Sequence, residues 1–224
     1  MRSSSKKRVL SAMGTGLRIG IDFDNTLINY DDVFFATAKR SGLIGSAVAS
    51  RKQDVRDAVR KLPDGEFTWQ RLQGQVYGKG IAKAAMAVGC KAFLKRCRTE
   101  GCMVVVVSHK TEYGHYDADR VNLRKAALDW MTAQELFDGE YGITQENVYF
   151  ERTRAEKVGR IAALSLTHFI DDLDEVLTDP NFPPNVKRIL FAEETVKHTN
   201  SYIACSTWLE IENQVFGGAA FERA

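Results

Sequence analysis

The chain has 224 residues, a formal net charge of +2, 44% hydrophobic residues and 27% charged residues. This is the balance of an ordinary globular protein, long enough for one full core with a sizeable insertion or for two small domains. So small a charge argues against a nucleic-acid or polyanion partner, and no apolar run approaches the roughly 20 residues that span a bilayer.

Residues 1–16 contain Lys6, Lys7 and Arg8 but no apolar stretch of the kind a secretory signal needs, and they are expected to form a flexible tail. Cys90, Cys97, Cys102 and Cys205 include no CxxC pair. They read as reduced thiols of a cytoplasmic protein rather than a zinc site or a disulfide framework.

In chain order, the first apolar run covers residues 17–23 and ends in Asp22-Phe23-Asp24-Asn25-Thr26. Residues i and i+2 of an extended chain point the same way, so Asp22 and Asp24 are expected to project together while Phe23 turns into the core. Two carboxylates held together repel each other unless a cation sits between them or one takes a proton. An EF-hand reading fails, because Thr26 and Leu27 stand where a ligand and a glycine are required.

Residues 29–88 follow. They hold several helical patterns broken at Gly42, Gly45, Pro63-Asp64-Gly65, Gly74, Gly78 and Gly80, and are too long for a single crossover. Ten basic and six acidic residues make this stretch modestly basic. Most of its charges are read as solvated helix face, and Trp69 and Tyr77 as core packing.

Four more apolar runs come after it: Met103 to Val107, Asn147 to Phe150, Thr167 to Ile170, and Val186 to Phe191. Helical patterns at 90–99, 118–132, 154–164 and 172–178 separate them, with Asp171 or Asp172 as the expected cap of the last. Strands alternating with helices predict an α/β fold, a parallel sheet covered on both faces. Ligands of such sheets bind at the carboxyl ends of the strands.

Three further groups fall just past strand ends: Ser108, Lys157 on its helix, and Asp171-Asp172. A metal, a hydroxyl donor and a fixed cation are what positioning a phosphoryl group requires. His109, Lys110, Tyr113, His115 and Tyr116 lie in a polar loop, 109–117, that is either plain surface or in contact with a leaving group. His168, at the start of a core strand, is expected to be buried and hydrogen-bonded.

Taken together, Asp22-Phe23-Asp24-Asn25-Thr26, Ser108, Lys157 and Phe169-Ile170-Asp171-Asp172 resemble, in order and spacing, the four motifs of the haloacid dehalogenase-like superfamily, which consists mostly of phosphatases. The resemblance implies a Rossmann-like core over residues 17–28 and 89–216, with a helical C1-type cap over 29–88. It implies Asp22 as nucleophile and Asp24 as general acid and base. Thr26, Ser108, His109 and Lys157 are expected at the substrate. Mg2+ is expected on Asp22, Asp24 (through its carbonyl), Asp171 and Asp172. Arg154 competes with Lys157, and Asp174 and Glu175 compete with Asp172. An aspartate at 24 favours phosphatase or phosphomutase chemistry, with phosphatase ahead, and a cap over the site favours a small phosphorylated metabolite, a sugar phosphate or a nucleoside monophosphate. A phosphomutase or phosphotransferase, or a binding protein that kept the fold, are the alternatives.

Overall fold

The computed structural model describes residues 16–116, 119–192 and 201–217. The expected tail therefore lies, all but Gly16, outside the described residues. Six strands form one parallel sheet: β1 Arg18–Ile21, β4 Met103–His109, β5 Val148–Glu151, β6 His168–Asp171, β7 Lys187–Phe191 and β8 Ile203–Cys205, in the order β5-β4-β1-β6-β7-β8. Two short strands, β2 Ile28–Asn29 and β3 Ala85–Met86, pair antiparallel in a separate ribbon. β1 is central, so the run that carries Asp22 and Asp24 has neighbours on both sides.

Alternation along the strands divides the interior into two layers. Ile19, Ile21, Val104, Val106 and Ile170 face one buried cluster, whereas Val105, Val107 and Phe169 face the other. Gly20 allows the second face to close. A Cβ there would stand 2.5 Å from both Leu166 and Phe169 side-chain carbons, so no larger residue fits without moving them. None of the four cysteines forms a disulfide.

The helices α4 Cys90–Thr99, α5 Leu123–Ala133, α6 Arg154–Ala163, α7 Asp174–Leu177 and α8 Trp208–Phe216 cover the sheet. Three differ from expectation. The helix expected from 118 begins at 123, because the Asn122 side chain accepts the Lys125 amide and caps it there. Neither Asp171 nor Asp172 caps α7: Leu173 holds the cap position, and Asp171 instead accepts the Leu173 amide within its own turn. β8 and α8 were not expected, since three residues are too few to display a strand period.

Between β2 and β3 lie α1 Asp31–Arg40, α2 Lys52–Arg60 and α3 Gly65–Tyr77. Their own core is aromatic: Phe34 stacks on Trp69 at 4.9 Å, and Tyr77 meets Tyr30 at 4.9 Å. Arg51–Asp54, Arg56–Asp57 and Arg60–Glu66 are surface ion pairs, as expected of this segment. Among the described residues no helix is long and apolar enough to cross a membrane.

Candidate active site

Asp22 directly follows β1, where its amide donates to the Ile170 carbonyl and completes the pairing with β6. The chain then turns over Asn25, which adopts a left-handed conformation with φ 59°, and the Leu27 and Ile28 amides return to the Phe23 carbonyl. Phe23 is fully buried, edge-on to Trp130 and Phe150, as the alternation required.

Asp171 ends β6, fully buried beside Asp22. Lys157 reaches both from the second turn of α6, its Nζ 2.6 Å from Asp22 Oδ1 and 2.6 Å from Asp171 Oδ2. Burial disfavours its ammonium, but Asp22 and then Asp171 outweigh that and raise it above an ordinary lysine. Thr153 and Glu156 cap α6 reciprocally and fix that turn: the Glu156 amide donates to Thr153 Oγ1, and the Arg152 amide donates to Glu156 Oε2. Arg154, the competitor for this place, points away and pairs with Glu175 at 2.9 Å on the surface.

Carboxylate oxygens of Asp22, Asp171 and Asp172 lie within 4.8 Å of one another. Burial, with the charges of Asp22 and Asp172, pushes the Asp171 carboxyl up to about 8 against the pull of Lys157. Burial and Asp22 push Asp172 up to about 7. Crowded, desolvated carboxylates of this kind are what a hard divalent cation relieves, so the donor set fits magnesium. The side chain of Asp24 stands outside this trio, which leaves only its carbonyl for the expected metal role.

Asp24 has its own cation. Lys110 donates to both Asp24 oxygens at 2.9 and 2.7 Å, and Tyr30 donates its hydroxyl at 2.6 Å. Burial and then the Asp24 charge push the Tyr30 phenol well above its ordinary value, so it stays a donor. The sequence held a signal for Lys110. It lies two residues beyond Ser108, as Asp24 lies two beyond Asp22, and so emerges on the same side of its strand.

A cavity of about 380 Å³ opens above these groups, lined on the sheet side by Asp22, Asp24, Ser108, Lys110 and Lys157. Its far wall comes from the helices between β2 and β3. Lys52 of α2 donates to Asn25 Oδ1 at 3.2 Å, and Asn25 donates to Asp172 at 3.0 Å. Burial works against the Lys52 ammonium, but Tyr77 and Asp172 outweigh it and its net shift is upward. No sequence pattern distinguished Lys52 from the nine other basic residues of its segment. His109 lines the cavity with its ring bonded to the Arg152 carbonyl. Thr26 does not line it: the residue is fully buried and its hydroxyl has no partner. Asp174 and Glu175 sit in the exposed first turn of α7.

No family model matches the chain, and no curated protein matches it. Solved structures do. *Mycobacterium tuberculosis* Protein Tyrosine Kinase A superposes with a TM-score of 0.58 at 12% identity, over 90% of this chain and 98% of that one. A predicted phosphoglycolate phosphatase from *Haemophilus somnus* gives 0.52 at 16% identity, over 91% and 99%. A HAD family hydrolase from *Deinococcus radiodurans*, with bound phosphate and sodium, gives 0.53 at 11%, over 90% and 96%. The chain has a haloacid dehalogenase-like fold.

Proposed function

We propose that the protein is a magnesium-dependent phosphomonoesterase working through an aspartyl-phosphate on Asp22. Residues 29–88 act as a helical cap over the core of residues 17–28 and 89–216. The observation that carries this reading is the pairing of two carboxylates, two residues apart, with two different buried lysines at the mouth of one cavity. Asp22 is tied by Lys157 to the Asp171–Asp172 pair, and Asp24 is held by Lys110. The phosphatase and hydrolase descriptions of similarly folded proteins support the class.

An oxygen of Asp22 attacks phosphorus while the bond to the ester oxygen breaks, and Asp24 gives the departing oxygen its proton. Water then attacks the same phosphorus, Asp24 takes the proton, and the bond to the Asp22 oxygen breaks to release inorganic phosphate. Lys157 balances charge on Asp22 and the phosphoryl oxygens. Ser108, buried at the end of β4, donates its hydroxyl to one of those oxygens. Asp22, Asp171, Asp172 and the Asp24 carbonyl would hold magnesium, which would supply positive charge to the transferring group.

Phosphate release from p-nitrophenyl phosphate with and without magnesium, for wild type and Asp22→Asn, tests this. We expect magnesium-dependent release that falls by at least about a thousandfold in the variant. Undiminished release by Asp22→Asn overturns the mechanism. Transfer of phosphate to an added alcohol in place of release favours a phosphotransferase.

A further inference from the structure

The charges around the cavity point to the leaving group. Three lysines (Lys52, Lys110 and Lys157) face four carboxylates (Asp22, Asp24, Asp171 and Asp172). One divalent cation makes the site net positive by one, or by two when Asp24 carries the proton it donates, and a phosphate monoester dianion then leaves no positive charge over. Each lysine is already matched: Lys157 to Asp22 and Asp171, Lys110 to Asp24, and Lys52 to Asn25 with Asp172 behind it. No arginine lines this cavity among the described residues. A second phosphate or a carboxylate on the substrate would meet like charge without a free cation.

The part of the opposite wall that α3 supplies is neutral. Gln70, Gln73, Gly74 and Tyr77 follow one another at i, i+3, i+4 and i+7 along α3 and form a single stripe facing the cavity. Gln70 spends its amide nitrogen on Glu66 and keeps its carbonyl oxygen. Gln73 is half-buried and its carboxamide has no partner among the described residues. Carboxamides both donate and accept, which suits hydroxyl groups. Among the described residues that line the cavity, Tyr77 is the one phenyl or indole ring on which a base could stack. Tyr77 is packed against Tyr30 and Phe34, with the Lys52 and Lys110 ammonium groups over its ring. Phe67 and Tyr116 are exposed but do not line the cavity, and their rings meet each other, tilted, at 4.4 Å.

Building on the phosphomonoesterase reading, we propose that the substrate is the monophosphate of a neutral sugar or polyol, and that Gln70 and Gln73 are the residues that bind its hydroxyls. At about 380 Å³ the cavity is near the lower end of the range of about 300–1,000 Å³ for small-molecule sites, which suits so small a substrate.

The test compares four substrate classes: sugar or polyol monophosphates, phosphorylated carboxylic acids, sugar bisphosphates and nucleoside monophosphates. The first class is expected to have the highest kcat/KM. Gln73→Leu is expected to lower kcat/KM for that class, relative to p-nitrophenyl phosphate, about tenfold, the size of one lost neutral hydrogen bond. Gln70→Leu is expected to do the same to a smaller degree. A best substrate from any other class, or an unchanged ratio in Gln73→Leu, overturns the proposal. Calorimetric binding of the same compounds to Asp22→Asn, with Gln73→Leu added, reads affinity without turnover. If p-nitrophenyl phosphate release fails, the phosphatase reading falls alone. Preferential binding of the polyol monophosphate, weakened by Gln73→Leu, then still upholds the proposal, and equal binding of all four classes sinks it.

Discussion

Asp22 and Asp24 have the same chemistry, lie two residues apart, and each bonds a lysine whose side chain is 2% exposed, yet their surroundings differ. The Asp22 side chain is 5% exposed and shares Lys157 with a second buried carboxylate. The Asp24 side chain is 20% exposed and, among the described residues, shares Lys110 with no other acid, taking a third bond from the Tyr30 hydroxyl beside the two from Lys110. Asp22 therefore sits in a dry cluster in which one lysine faces three carboxylates, and that excess of negative charge suits a group placed to meet a cation. Asp24 is the more exposed of the two, where on the proposed mechanism it would pass a proton to an ester oxygen or take one from water. One buried, one reachable: the extended backbone sets the spacing, and the elements packed above set the difference.

Removing the two lysines in turn is the sharpest way to break that comparison. Lys157→Met leaves Asp22 and Asp171 facing each other unpaired in the interior. We expect it to cost about 3–5 kcal/mol of stability in metal-free protein, read by chemical denaturation, and to abolish turnover. Lys110→Met leaves Asp24 with Tyr30 and with access to water. Its expected cost is about 1–2 kcal/mol, with kcat lowered about ten- to a hundredfold at nearly unchanged KM, because the loss falls on orientation of the proton-transfer group. Equal destabilisation by the two variants would mean that the difference in exposure has no energetic consequence.

What could be read in advance follows the same division between backbone period and tertiary approach. The sheet, the turn of Phe23 into the core and the meeting of Asp22 with Lys157 and Asp171 all follow from apolar runs and from residues placed just past their ends. Lys110 is legible by the same two-residue rule that places Asp24, although it falls in the polar loop 109–117, whose pattern fits plain surface and leaving-group contact alike. Lys52 and Tyr30 are not legible, since what brings them to Asn25 and Asp24 is the packing of the inserted helices, which leaves no local period. β8, three residues long, offered too little alternation to be seen. Thr26 errs in the opposite direction. Its neighbours belong to the site, but the turn over Asn25 carries its own side chain inward.

An effect confined to a window of pH concerns the two ends of β6, which respond to pH with opposite signs. At the carboxyl end, Asp171 and Asp172 are pushed up, mainly by burial, to about 8 and about 7. The folded protein thus keeps protons that the unfolded chain has released, and in the absence of metal these groups make stability fall as pH rises from about 4 towards 8. At the amino end, His168 is buried and bonded to Thr167, and burial, with Lys187 nearby, lowers its imidazole to about 4. There the unfolded chain binds the extra proton, so stability falls as pH drops from about 6.5 to about 4. In that window the two slopes oppose each other and flatten the profile. His168→Phe removes one of them. Denaturant midpoints of the metal-free variant are expected to climb on acidification from pH 6.5, by on the order of 2 kcal/mol relative to wild type across the window. Magnesium acts on the other slope, because Asp171 and Asp172 must lose their protons to bind it. The midpoint gain on saturation with magnesium is therefore expected to grow from pH 6 to pH 8 in wild type and in His168→Phe alike. A gain independent of pH would place the cation away from the end of β6 that makes Asp22 the drier of the two carboxylates.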